Sequence, residues 1–378
     1  MFSTDTLLSI KFSDILRLDA FGFLYADSDE APGNVGLWDQ VLALEWVNDN
    51  IERFGGNPQN ITLMGSDAGG WSVCLHLLSS HSRDLFQNAI ISSGAVYHHI
   101  HEKSAENVRQ SWLNAAVSIG CGEELRYSYV EFTPEIIKCL KEVPPEKILK
   151  LSSADPELSK HKSTWFRFVV IDGQFLPDKP LEVLLKPSLE ITKNILIGTS
   201  EDEGTLLLPK FDPDKFNYKQ PRNFTFEEGV LELTSLSKQF PSNLQVVGEE
   251  ISQFYFYGIN NNTEDYPLIC QRIASAVDDF YMTCPTLRFA EVLFHENDET
   301  VRVYQYFYAN YFNILGVEGY NKAFHSSDIV AIFGVPLQRP NIPEPQKKVS
   351  RRMIEMVSDF ARYGLVFDHF KLVLPRAS

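Results

Sequence analysis

Apolar residues along the chain fall into two kinds of spacing. Short apolar runs occur at "ITLMG" (61–65), "NAIISSG" (88–94), "NILIGTS" (194–200) and "VRVYQYFYA" (301–309). The first three read as unbroken hydrophobic segments, the pattern of strands covered on both faces in a parallel sheet. Between them lie longer stretches with helical periodicity. Residues 36–53, "GLWDQVLALEWVNDNIER", place Leu37, Val41, Leu42, Leu44, Trp46 and Ile51 at near-helical spacing, and Gly55-Gly56 ends the pattern. Residues 104–119, 267–280 and 345–363 read as further helices, and a helix-like stretch runs from Trp71 to Leu78. Strands alternating with helices predict an α/β fold with a mainly parallel sheet. The loop-rich stretch 205–245 reads as an excursion on one side of that sheet. Nothing repeats internally, and the length suits one big domain or two ordinary ones.

Composition narrows the function without naming it. With 378 residues, 44% of them hydrophobic, the chain can bury a large core. A net charge of -16 argues against nucleic acid as a partner. The acidic residues are scattered, which fits solubility first and attraction of cationic ligands second. No apolar run approaches the ~18 residues that span a bilayer, so no membrane span is expected. No metal-binding or cofactor motif stands out, and neither group is expected. The opening "MFSTDTLLSIKFSDILRLDAFGF" lacks a basic region followed by a long apolar one, so no signal peptide is expected. Sequons occur at Asn60, Asn223 and Asn261. Asn60 opens an expected core strand, which leaves Asn223 and Asn261 as glycosylation candidates if the chain enters the secretory pathway.

One segment has the shape of a catalytic turn. In "LMGSDAGGWS" (63–72), Gly65 and Gly69 bracket a single position between a strand and a helix, as in the G-x-S-x-G elbow that lifts a nucleophilic serine above a sheet. Asp67 occupies that position. The nearby Ser66 is one residue early, and its side chain is expected to point away from the cleft.

Several long blocks carry a family resemblance. "GNVGLWDQVLALEWVNDNIERFGGNPQNITLMG", "SRDLFQNAIISSGA", "VIDGQFLPDKP", "LIGTSEDEGTLL", "AFHSSDIVAIFG" and "SRRMIEMVSDFARYG" follow one another in the order found in type-B carboxylesterases and cholinesterases. The chain therefore resembles that family of α/β-hydrolases from about residue 15 to 365. The resemblance implies an α/β-hydrolase fold, with residues 1–378 as one partial domain, and a Ser–Glu–His triad acting on carboxylic esters. Carried over by residue, the acid is Glu203 and the histidine is His325, while Asp67 stands at the serine's position. The family pattern G-E-S-A-G has become G-S-D-A-G.

Three readings of Asp67 follow. Ser66 could take over as nucleophile, Asp67 could attack as a carboxylate, or the esterase could be disabled. The third leads: a carboxylate attacking an ester would give an anhydride, and its charge would pair with the imidazolium and raise the His325 pKa. The resemblance also places an oxyanion donor at the Ala68 N–H, with further donors from an upstream glycine-rich loop. Gly22, the first glycine, matches a family strand that follows this loop, so a partial oxyanion hole and a fold shortened at both termini are expected. The leading expectation is an esterase-like pseudoenzyme. The alternatives are a working hydrolase using Asp67, His325 and Glu203, and a binding or adhesion module like the neuroligin-type relatives. The resemblance further implies supporting roles for Ser93 and Asp328, a disulfide between Cys121 and Cys139, an unpaired Cys284, and a secreted or extracellular location. Its implied partners are a small carboxylic ester or related ligand, or another protein. Trp38 and Trp71 are expected in the core rather than as ligand platforms, and Cys74 as a small core residue.

Overall fold

A computed structural model describes residues 17–96, 105–122, 132–151, 169–186, 189–212, 215–216, 224–237, 248–260, 266–296, 300–312 and 322–366. Asn223 and Asn261 lie outside the described residues. A short antiparallel hairpin, β1 (Tyr25–Ser28) and β2 (Ala31–Pro32), precedes the main sheet. That sheet is built of β3 (Thr62–Ser66), β4 (Asn88–Ser92), β5 (Asn194–Ser200) and β6 (Arg302–Tyr308), parallel throughout and paired in sequence order. The helices that matter below are α1 (Val35–Asn50), α2 (Ala68–Leu78), α3 (Ala105–Ser118), α4 (Pro134–Glu142), α5 (Gly204–Phe211), α6 (Phe226–Ser237), α7 (Tyr266–Asp278), α8 (Cys284–Glu296), α9 (Ser327–Ile332) and α10 (Glu344–Tyr363).

The apolar runs become central strands because successive side chains point to opposite faces and both faces are covered. Ala89, Ile91, Ile195 and Ile197 pack on Val73 and Leu77 of α2 and Phe289 and Leu293 of α8. Their neighbours Ile90 and Leu196 face the other way, onto Met353, Met356 and Phe360 of α10 and Ala331 of α9. Burying each such side chain is worth roughly 1.5–3 kcal/mol, so the two faces together fix strand register.

Polar side chains lock the lower, N-terminal edge of the sheet. Asn88 Nδ2 donates to Asn60 Oδ1 at 3.0 Å, Asn194 Nδ2 donates to Asn88 Oδ1 at 2.9 Å, and Asn60 Nδ2 donates to the Arg362 carbonyl at 3.2 Å. This ladder ties the starts of three strands to the end of α10. Asn60, expected to open a core strand, stands exposed two residues ahead of β3.

The region 205–245 departs from expectation. It holds two helices, α5 and α6, which with α7 enclose a separate core of Leu207, Leu208, Leu233, Leu236, Ile269, Ile273 and Val277. Their helical pattern is broken in the sequence by Pro209 inside α5 and Gly229 inside α6. Gly229 is there because α6 lies against its neighbours: an added Cβ would stand 2.7 Å from Ile269 Cγ2. Cys121 and Cys139 form a disulfide that closes the α3–α4 unit. Cys74 is buried with no disulfide, and Cys284 is exposed with none. Among the described residues, no helix is long and apolar enough to cross a membrane.

Candidate active site

Four loops at the C-terminal ends of the parallel strands converge, the place where α/β sheets put their ligands. β3 ends in the elbow. Asp67 has φ 54° and ψ -120°, a strained conformation for a residue with a side chain, and it leads directly into α2. Two close approaches hold the turn. A Cβ at Gly65 would lie 2.1 Å from the Gly69 carbonyl oxygen, and one at Gly94 would lie 2.2 Å from the Asp67 carbonyl oxygen. Gly69 has open space around it. Ala68, the first residue of α2, is exposed, and its N–H belongs to the turn whose donors lack intrahelical acceptors.

Glu203 follows β5 as the residue before α5, and its side chain is fully buried. It binds three donors. Ser93 Oγ and the Ser200 N–H both donate to Oε1 at 2.5 Å, and His325 Nδ1 lies 2.5 Å from Oε2. Ser93 reaches it from the end of β4, with its own backbone in the left-handed region at φ 48°. Donation of the Nδ1 proton to Glu203 leaves the other ring nitrogen, Nε2, directed at the elbow, where it lies 3.8 Å from Asp67 Oδ1. The structure thus brings Asp67, Glu203, His325 and Ser93 into one array.

Asp328 sits three residues after His325, fully buried. Its Oδ2 accepts hydrogen bonds from Ser92 Oγ and Tyr306 Oη, both at 2.6 Å. Burial pushes its carboxyl above the usual range against the opposing effect of these two donors, and the Glu203 charge adds to the rise. Ser66 Oγ lies 3.4 Å from Ser92 Oγ, so this serine belongs to the Asp328 network. Ser92 and Tyr306 were not singled out from the sequence. The adjacent serines of "IISSG" offered the signal: at the end of one strand they face opposite ways, Ser92 toward Asp328 and Ser93 toward Glu203.

Trp38 and Trp71 pack half-buried against the main core, with Trp38 edge-on to Phe175 at 5.6 Å between ring centroids. Cys74 lies beneath the elbow with its sulfur 3.7 Å from the Gly94 carbonyl, and burial pushes its thiol up to about 12. Among the described residues no cluster of His, Cys, Asp and Glu has metal-binding geometry.

Comparison with known proteins gives this arrangement a lineage. The chain is 33% identical over 359 residues to a cholinesterase of Mus musculus, covering 92% of this chain and 55% of that one. It is 33% identical over 377 residues to an acetylcholinesterase of Bungarus fasciatus, covering 96% of this chain and 57% of that one. An acetylcholinesterase-1 of Trittame loki is 27% identical over 349 residues. The chain thus spans somewhat more than half the length of these relatives. A family model described as "Carboxylesterase family" matches residues 15–369. By that match, and with a parallel sheet carrying the elbow, the acid and the histidine at its strand ends, the chain belongs to the carboxylesterase family and has its α/β-hydrolase fold.

Proposed function

We propose that this chain is a carboxylesterase- and cholinesterase-like domain that retains a ligand cleft but has lost, or severely weakened, ester hydrolysis at Asp67. The observation that carries this reading is the Asp67 carboxylate at the elbow apex, with Oδ1 3.8 Å from His325 Nε2. A serine there would give its proton to the imidazole and attack as an alkoxide-like oxygen. A carboxylate has no proton to give. If it adds to an ester carbonyl, the tetrahedral adduct expels the carboxylate, a far better leaving group than an alkoxide, and the ester is returned. The cleft then binds a small carboxylic ester or related ligand without turning it over efficiently. Secretion, glycans at Asn223 and Asn261, a single domain and a protein partner belong to the same proposal.

A second reading has one observation in its favour. The strained elbow and the Glu203–His325 pair are kept in full beside Asp67. A carboxylate displaces a leaving group efficiently at saturated carbon, forming an alkyl ester that water activated by His325 then cleaves. The assays separate the two. Hydrolysis of p-nitrophenyl acetate is expected to be no faster with the parent chain than with Asp67→Ala, and a fluorophosphonate is expected to leave the protein unlabelled. A parent rate that disappears in Asp67→Ala overturns the disabled-esterase reading. For the second reading, turnover of an alkyl halide or epoxide in H2(18)O would place heavy oxygen in the Asp67 carboxyl.

A further inference from the structure

Behind the Glu203–His325 pair, apart from Asp328, lies a further buried carboxyl that the proposed chemistry does not use. Asp278 ends α7 and is almost fully buried. Its Oδ2 accepts the Glu203 backbone N–H at 3.3 Å, and its Oδ1 accepts the Thr283 hydroxyl at 2.7 Å. The helix widens immediately after it into a π-turn, Asp279–Thr283, which carries Thr283 round to Asp278. Such single-turn widenings recur at functional sites.

The same helix presses on the next residue as well. A Cβ at Gly204 would stand 1.8 Å from the Ala274 carbonyl oxygen, one turn before Asp278 on α7. The backbone on both sides of the Glu203 side chain is therefore fixed by α7: Ala274 meets Gly204, and Asp278 holds the Glu203 N–H.

We propose that Asp278 is a positioning residue for the Glu203–His325 pair, holding Glu203 in place through its backbone N–H, so that a change of charge on Asp278 acts as a switch on the pair. The electrostatics agree with the geometry. Burial first, and the Glu203 charge second, raise the Asp278 carboxyl to about 8, with Asp279 adding to the rise and Thr283 and the Glu203 N–H opposing it. The groups around it are the carboxyls of Glu203 and Asp279, the Thr283 hydroxyl and, further out, Tyr255, Cys284 and the Arg288 guanidinium. Asp279 follows on the π-turn, and Tyr255 donates to Asp279 at 2.7 Å. Burial and both aspartates raise the Cys284 thiol against the opposing charge of Arg288, and burial and the Asp279 hydrogen bond lead the rise of the Tyr255 phenol. Ionised Asp278 meets Glu203 as a like charge in a low-dielectric interior. The Glu203 carboxylate and its hold on the imidazole are then displaced.

The role assigned to Asp278 rests on the reading of Glu203 and His325 as a retained acid–base pair, and the test reads the pair itself rather than turnover. The strongly hydrogen-bonded Nδ1 proton of His325 gives a far-downfield proton resonance, identified by its loss in His325→Gln. In the parent protein its chemical shift is expected to follow two inflections with pH, one from the imidazole and one near pH 8. Asp278→Asn, which keeps the neutral form and an acceptor for the Glu203 N–H, should retain the first and lose the second. Thr283→Val, which removes a donor to the ionised form, should move the second inflection upward. Circular dichroism establishes that each variant is folded. Absence of the second inflection in the parent, or its persistence in Asp278→Asn, overturns the proposal. An unresponsive ester assay bears only on Asp67.

Discussion

The two glycines that bracket Asp67 look equivalent in the sequence and are not equivalent in space. At Gly65 an added Cβ would stand 2.1 Å from the Gly69 carbonyl oxygen and 2.2 Å from its carbon, whereas at Gly69 it meets nothing within 4 Å. Carbon atoms settle at roughly 3.5–4 Å, so Gly65→Ala must part the end of β3 from the start of α2 by more than about an ångström. Both colliding partners are backbone and cannot rotate away. Overpacking costs about 1–3 kcal/mol, with rigid contacts at the upper end, so Gly65→Ala should lose about 3 kcal/mol or more. Gly69→Ala should do the opposite. The residue lies in the first turn of α2, where alanine is favoured over glycine by roughly 0.5–1 kcal/mol. The two variants are thus expected to differ by about 4 kcal/mol in urea unfolding at neutral pH, followed by tryptophan fluorescence. Equal losses, or a greater loss in Gly69→Ala, would refute the assignment of the turn's tight contact to Gly65.

Further outcomes follow from the same geometry. Ser93→Ala removes one of three donors to a fully buried carboxylate. It should destabilise the protein by about 2 kcal/mol at neutral pH, because hydrogen bonds to charged groups are worth roughly 1.5–3 kcal/mol; a neutral effect by denaturant titration would show that Glu203 does not depend on it. Burial lowers the His76 imidazole to about 4, so the folded state keeps it neutral while the unfolded chain takes up a proton below about 6.5. Stability should therefore be present above that pH and fall as pH drops toward 4, by about 3 kcal/mol in all; His76→Gln should flatten this part of the profile, and an unchanged slope would contradict it. Reducing Cys121–Cys139 should cost about 3 kcal/mol in the chain-entropy model. Hydrogen exchange should then speed up in α3 and α4 while β4 and β5 stay protected, and a uniform rise across the sheet would count against a local role.

The central strands and the longer helices were legible because their signals are local. Three apolar runs marked β3, β4 and β5 to within a residue or two, and helical spacing marked α1, α3, α7 and α10. The helices α5 and α6 were missed because the residues that break their pattern, Pro209 and Gly229, answer to packing or helix geometry that no single segment displays. The same limit applies to the site. Asp67, Glu203 and His325 stood out through their blocks, and the structure brings them together. Asp278 and Tyr306 did not, since a carboxyl at the end of an apolar helix and a tyrosine in a strand have ordinary uses. Their significance arises from contacts with residues 75 and 22 positions away. Gly69 shows the reverse error, a motif glycine without a steric need.

The Ser92–Asp328 hydrogen bond joins residues 236 positions apart, with both partners fully buried. On the ribosome that separation becomes a delay. At 5–20 residues per second, roughly 10–50 s pass between the appearance of Ser92 and that of Asp328. Throughout this interval β4 can pair with β3, yet its terminal hydroxyl has no carboxylate to meet and Ile90 has no α10 to cover it. The emerging half-sheet exposes apolar surface through this interval, and the yield of folded protein in cells is expected to depend on chaperone supply and on the pace of translation between the codons for Ser92 and Asp328.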